Sequence, residues 1–251
     1  MKVCVLSSGS KGNTTYIESE NTKVLIDIGN TSKYVKEKLE EIGVSPEQLD
    51  AILITHTHND HVKGLKVFEK KFNIPVYITE KMYNDVDYLD KYEIIKDEFD
   101  IKDMHITAIK TSHDTDDSRG YILHANDSSV VYITDTGYIN KKYFDLLTNK
   151  DIYIMESNHD VEMLNNSNYS FQLRQRILSD KGHLSNYDSA KYLCCFIGDK
   201  TKYVFLAHLS EENNTESLAY DTLVNKLKQE NKSVNNIIIT KQDKETELIS
   251  V

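Results

Sequence analysis

Short apolar runs closed by polar loops recur along the whole chain, and they alternate with longer stretches of helical spacing. Runs rich in Val, Ile, Leu and Tyr predict strands at Lys2–Leu6, Thr15–Glu18 and Lys23–Ile28, with Ser7–Asn13 as the loop joining the first two. Helical spacing through Tyr34, Val35, Lys38, Leu39 and Ile42 predicts a helix over Thr31–Ile42, which Gly43 stops. Ala51–Ile54 reads as a short buried strand, Gly64–Phe72 as a helix and Pro75–Ile78 as a strand. Strands follow at Met104–Lys110, Gly120–His124, Val130–Thr134 and Ile152–Met155, with a helix near Lys141–Thr148. The last part predicts helices Tyr169–Ser179 and Tyr187–Ile197, strand Tyr203–Ala207, helix Thr215–Lys228 and strand Asn236–Thr240. Strands in groups with helices between them predict sheets whose outer faces helices cover. No proline- or glycine-rich linker, repeat or low-complexity tract divides the chain, so residues 1–251 are expected to form one domain.

Composition narrows the class. A hydrophobic content of 39% and a charged content of 28% are ordinary for a globular protein with a large core. No apolar stretch is long enough to span a bilayer, and the start of the chain lacks the pattern of a secretory signal. A cytoplasmic protein with no membrane association is expected, and nothing implies an obligate protein partner. Cys4, Cys194 and Cys195 lie in apolar runs and read as buried reduced thiols, not as a disulfide framework. The net charge of −10 argues against a protein that coats nucleic acid unspecifically, but not against a cleft made locally positive by bound cations.

The chemistry concentrates in Thr55-His56-Thr57-His58-Asn59-Asp60-His61, which follows the apolar run 51–54. His56, His58, Asp60 and His61 cannot all point at one ion from a single loop, but a strand ending there can aim two of them at one metal and two at a neighbour. Further candidates end other apolar runs: Asp27 after Val24–Ile26, His113 after the strand at Lys110, Asp135 after Val130–Thr134 and His208 after Tyr203–Ala207. Rigid strands thus deliver several metal-competent side chains to sheet ends, where sites are commonly built.

In their order these motifs resemble those of the metallo-β-lactamase-fold hydrolases. The resemblance implies an αββα sandwich, with His56, His58 and His113 on one metal, Asp60, His61 and His208 on the other, and Asp135 between them. Asp27 would brace the metal loop from behind. A closer resemblance is carried by residues 6–13, Ser112-His113-Asp114, Glu156-Ser157-Asn158-His159-Asp160, Gly182-His183-Leu184-Ser185-Asn186 and Ala207-His208-Leu209-Ser210. These look like the YycJ/WalJ-like subgroup, which implies an exonuclease on double-stranded DNA, with 5′-to-3′ polarity. The implied cofactors are two divalent ions, Zn²⁺ or Mn²⁺, with Fe²⁺ also suited to all-N/O donors, and a hydroxide between them attacks the phosphodiester.

His183 and His208 are both followed by Leu-Ser, and either could be the last ligand; the strand end favours His208. His183 would then contact the phosphate or protonate the leaving oxygen, and Asp60 is the other residue assigned to catalysis. Ser8, Lys11 and Asn13 in the first loop, with Asn158 and His159, are candidates for substrate contacts. Arg174, Arg176 and Lys181 are candidates for the phosphate backbone, with a solvated face as the competing reading. The rival functions are hydrolysis of a small ester, thioester or lactam at the same centre, and a non-catalytic metal-binding module.

Overall fold

The computed structural model describes residues 1–251 as two seven-stranded mixed sheets packed face to face, with helices on both outer surfaces. The expected αββα sandwich is therefore the architecture found. The first half contributes β1 (Lys2–Ser7), β2 (Thr14–Glu18), β3 (Lys23–Ile26), α1 (Ser32–Glu41), β4 (Ala51–Leu53), α2 (Asn59–Val62), α3 (Leu65–Phe72), β5 (Val76–Ile78), α4 (Glu80–Tyr83) and β6 (Tyr92–Ile94). The second sheet begins with β7 (Glu98–Ile101), β8 (Met104–Lys110), β9 (Arg119–Ala125) and β10 (Ser128–Ile133). Then come α5 (Phe144–Leu147), β11 (Ile152–Glu156), α6 (Val161–Asn165), α7 (Phe171–Ile177), α8 (Asn186–Phe196), β12 (Tyr203–Ala207), α9 (Glu216–Gln229) and β13 (Asn236–Ile239). The chain returns to the first sheet as β14 (Ile249–Ser250), which pairs with β1.

Each sheet has an antiparallel half and a parallel half. Strand order is β14-β1-β2-β3-β4-β5-β6 in one and β13-β12-β11-β10-β9-β8-β7 in the other. Strands β3 to β6 and β10 to β13 run parallel. Apart from the edge strands β6 and β13, these strands are largely buried on both faces and read as apolar runs, which is why the sequence shows them clearly. Val5, Ile17, Ile26, Leu53, Ile106, Tyr121, Val130, Ile154 and Phe205 form part of the layer between the sheets. Outside the first sheet, α1 turns Val35 and Leu39 inward, and its cap Thr31 accepts the Tyr34 N–H. Outside the second, α9 buries Ala219, Leu223 and Leu227, one face at helical spacing.

Three strands escaped the sequence reading. Tyr92–Ile94 is exposed and three residues long, and Ile249–Ser250 is two residues long, so both are too short to establish a period. Glu98-Phe99-Asp100-Ile101 does alternate, and Phe99 packs against the inter-sheet core. Helix α7 is shorter than the expected Tyr169–Ser179, and 3₁₀ geometry at Lys141–Tyr143 replaces the first turn of the expected helix there. One thiol is also corrected: Cys194 faces the second sheet, but Cys195, the next residue around α8, is exposed. No helix is long and apolar enough to cross a membrane.

Candidate metal centre and the cavity above it

The carboxyl ends of the parallel strands of both sheets meet at one end of the sandwich, a place where α/β sheets commonly build sites. Asp27 follows β3, His56 to His61 follow β4, Asp135 follows β10, Glu156 ends β11 and His208 follows β12; His113 follows β8. Three of these residues, Asp27, Asp135 and His208, hold positive φ angles of 62°, 55° and 57°. Left-handed backbone at a non-glycine residue costs on the order of 1–3 kcal/mol and persists only where its surroundings over-determine it. It is also why strand β3 ends at Ile26 instead of the expected Ile28: the chain swings out of the sheet at Asp27.

The histidines are braced at one ring nitrogen and converge with the other. His61 Nδ1 lies 2.7 Å from Asp27 Oδ2, while Asp27 also accepts Thr55 N–H at 2.8 Å and the Thr55 hydroxyl at 2.7 Å. His56 Nδ1 lies 3.1 Å from Thr55 Oγ1, and His113 Nδ1 lies 3.2 Å from the Gly182 carbonyl. Their Nε2 atoms are thus directed inward, and His56 Nε2 is buried with no partner at all. His58 is the exception, turning Nδ1 to within 3.3 Å of His113 Nε2. Such bracing of the distal nitrogen fixes tautomer and ring orientation in metal-binding histidines.

Asp135 occupies the middle. One oxygen lies 3.2 Å from His61 Nε2; the other lies 3.0 Å from His208 Nδ1, 3.7 Å from His183 Nδ1 and 3.8 Å from His113 Nε2. Asp60 Oδ2 lies 3.4 Å from His61 Nε2 and 3.8 Å from His208 Nε2. Asp135 Oδ2 and His208 Nδ1 nevertheless make no aligned hydrogen bond. Buried lone pairs that crowd together without bonding one another are the donor set a divalent cation satisfies. His56, His58 and His113 could hold one ion, their donor atoms all lying within 4.8 Å of one another. Asp135, Glu156, His183 and His208 form a second set of the same kind, and Asp135 also joins His56 and His61 in a third, while Asp60 lies within 4 Å of both His61 and His208.

The charges point the same way. Burial pushes the Asp135 carboxyl up, but His208 and His61 outweigh it and hold it well below the usual carboxylate range. Burial lowers His208, yet Asp135 and Glu156 bring it to about 10. His61, buried as deeply, is carried well above its ordinary value by Asp27, Asp135 and Asp60. Raised imidazoles report a strongly negative enclosure, and a bound cation would take the place of those protons.

Glu156 is the residue that sequence reasoning missed as part of the site. Its Oε1 lies 2.7 Å from His183 Nδ1 and 3.4 Å from His208 Nδ1, while Oε2 accepts the Thr136 and Leu184 N–H groups at 3.0 Å each. Burial alone would raise it, but His183 and His208 bring it down to about 2. The signal was available: Glu156 ends an apolar strand, as do the aspartates that were noticed. His183 sits beside it because Gly182 lets the chain pass close to α7. A Cβ there would lie 2.0 Å from the Ile177 carbonyl oxygen. Gly29 serves the metal loop in the same way, since its Cβ would fall 1.8 Å from the Asp60 carbonyl oxygen.

The candidates for substrate contact fall into two groups. Ser8 and Asn13 are buried and turned onto the site's own framework. Ser8 Oγ accepts the His208 N–H at 2.8 Å, and Asn13 Nδ2 lies 3.2 Å from Asp60 Oδ2. Asn158 donates to the His208 carbonyl at 2.9 Å and still lines the cavity. His159 is buried outside the cavity lining, and Lys11 is exposed and paired with Glu211 at 2.6 Å. Arg174 donates to the Asn165 carbonyl at 2.8 Å, and Arg176 pairs with Asp114. Both guanidiniums therefore hold protein groups, while Lys181 is exposed on the loop that follows. Above the metal residues lies a cavity of about 280 Å³, walled on one side by His58, Asp60, His113, Asp135 and His183.

Comparison with known proteins identifies the family. Residues 8–167 match the family model of the Metallo-beta-lactamase superfamily. The chain is 41% identical over 238 residues to exodeoxyribonuclease WalJ of Streptococcus pneumoniae serotype 2, covering 91% of this chain and 88% of that one. It is 36% identical over 223 residues to exodeoxyribonuclease YycJ of Bacillus anthracis, covering 86% and 84%. Among solved structures, the metallo-beta-lactamase fold protein YhfI of Bacillus subtilis superposes with a TM-score of 0.74 at 19% identity, covering 98% of this chain and 99% of that one. That last likeness is one of fold. The chain therefore belongs to the metallo-β-lactamase superfamily, within the group of WalJ and YycJ.

Proposed function

We propose that this chain is a metal-dependent exodeoxyribonuclease that hydrolyses phosphodiester bonds at the ends of duplex DNA with two divalent ions, Zn²⁺ or Mn²⁺. The observation that carries the reading is Asp135, buried between the His56–His58–His113 set and the Asp60–His61–His208 set and within reach of both. The extended identity to two proteins named exodeoxyribonucleases supplies the substrate class.

When bound, the ions supply Lewis-acid stabilisation of a phosphodiester and a water acidic enough to react near neutral pH. The chain's own residues do the rest. Asp27, Thr55 and the Gly182 carbonyl hold the imidazoles so that neutral nitrogens face inward. Asp60 lines the cavity on the substrate side. His183, bonded through Nδ1 to Glu156, keeps Nε2 for the cavity and donates a proton to the leaving oxygen. Glu156 fixes that tautomer, and its two backbone donors keep the carboxylate from turning away.

The test is purified protein loaded with Zn²⁺ or Mn²⁺ on duplex DNA labelled at either end, on single strands and on closed circles, with nitrocefin and a thioester alongside. Terminal nucleotides should be released from linear duplex, EDTA should stop release, and closed circles should stay intact; the labelled end lost first gives the polarity. Rapid turnover of the lactam or thioester with DNA untouched would replace this reading with a small-molecule hydrolase.

A further inference from the structure

The stretch 165–181 lies over the metal site, yet none of its residues is buried. From it Tyr169, Leu173 and Ile177, with Leu209 from the loop after β12, give the cavity an apolar wall. Leu173 and Ile177 are four positions apart on α7 and therefore share one face. His58, Asp60, His113 and Asp135 line the same cavity. A cavity half apolar and half metal-binding does not fit a phosphate alone, and its apolar half offers no carboxylate or free cation. The only charged group on α7 that reaches it, Arg176, is already paired with Asp114. At about 280 Å³ the cavity lies near the lower limit of small-ligand sites, about 300 Å³, which suits one nucleoside and not a length of strand.

We propose that Tyr169, Leu173, Ile177 and Leu209 seat the base of the terminal nucleotide while its phosphate lies against the metal-binding residues. The proposal rests on the nuclease reading of the site. Charge complementarity selects the occupant: a nucleotide has one anionic group for the metal side and one flat, uncharged face for the apolar side. Stacking is tolerant of sequence, because every base has a π-face, so the four bases should be released at similar rates. A pocket of one-nucleotide size also explains action at an end.

The experiment uses the metal-loaded full chain and linear duplexes whose terminal residue is either a normal nucleotide or an abasic tetrahydrofuran analogue. Wild type should remove the abasic residue about tenfold more slowly in kcat/KM. That factor corresponds to about 1.4 kcal/mol, which lies within the range for one stacked base. The double variant Leu173→Ser/Ile177→Ser should lose about tenfold on normal ends and nothing on abasic ends, with metal content unchanged. Tyr169→Ala should repeat the pattern, a second route should the helix variant unfold. Equal wild-type rates on the two ends, or an equal loss on both in the variants, would overturn the base seat while leaving the nuclease standing. If no metal-loaded protein degrades any linear end, the nuclease reading fails and this proposal falls with it.

Discussion

Asp27, Asp135 and His208 stand at buried strand ends in left-handed backbone, whereas the 165–181 stretch, which contributes Tyr169, Leu173, Arg176 and Ile177 to the cavity, has no buried residue. The first region is over-determined: Asp27 alone holds three groups, and Ser8, Asn13, Asn158 and Glu156 each tie a loop to its neighbour. The second is tied within itself by Arg174 on the Asn165 carbonyl, and to its surroundings by Arg176 on Asp114 and by the close passage of Gly182. Chemistry that needs donor atoms in fixed places belongs on the rigid side. Contacts that admit any base suit the side that adjusts. Substitutions on the two sides should therefore fail in different ways.

The largest effect should come from Asp135→Ala. Removing the carboxylate between the two donor sets should lower metal content and abolish nearly all turnover, while cooperative unfolding persists. Metal analysis and a melting curve on the same sample decide it; full metal content with unchanged rates would take Asp135 out of the centre. Next, His208→Ala should lose metal, whereas His183→Ala should keep it and lower kcat by about 10²–10⁴-fold, the range for a general acid. Metal loss confined to the His183 variant would exchange their roles. Glu156→Gln should cost about 10–100-fold through His183 and His208, as loss of an orienting partner does. An effect equal to that of Asp135→Ala would make Glu156 a ligand instead.

The smallest effect tests the other region. Arg176→Ala breaks a pair that is 62% exposed on the arginine side, so global stability should change by no more than about 1 kcal/mol. Amide exchange in 165–181 should nevertheless quicken, with the ligand loops unaffected. Equal loosening of both regions would mean that they are mechanically one.

The same contrast governs what could be read from the sequence. His56 to His61 announce themselves by density, and Asp135 and His208 by ending apolar runs that only a buried strand explains. Glu156 obeyed the same rule and was missed because the expected strand stopped at Met155, one residue early. Ser8 and Asn13 were noticed but not understood, because their partners, His208 and Asp60, lie far along the chain. Arg174 and Arg176 show the limit most plainly. Helical spacing places them on a surface, but nothing local tells that Asp114, 62 residues away, will occupy the second of them. The edge strand Tyr92–Ile94 is three residues long, too short for its alternation to stand out from the surrounding loop.

The central claim is that two divalent ions share the buried donor set around Asp135. Metal stoichiometry of the purified protein, measured by mass spectrometry of the ions after dialysis against metal-free buffer, tests it most directly. Two ions per chain in the wild type are predicted, falling by at least one in Asp135→Ala. A fully active wild-type protein that holds one ion or none would contradict it.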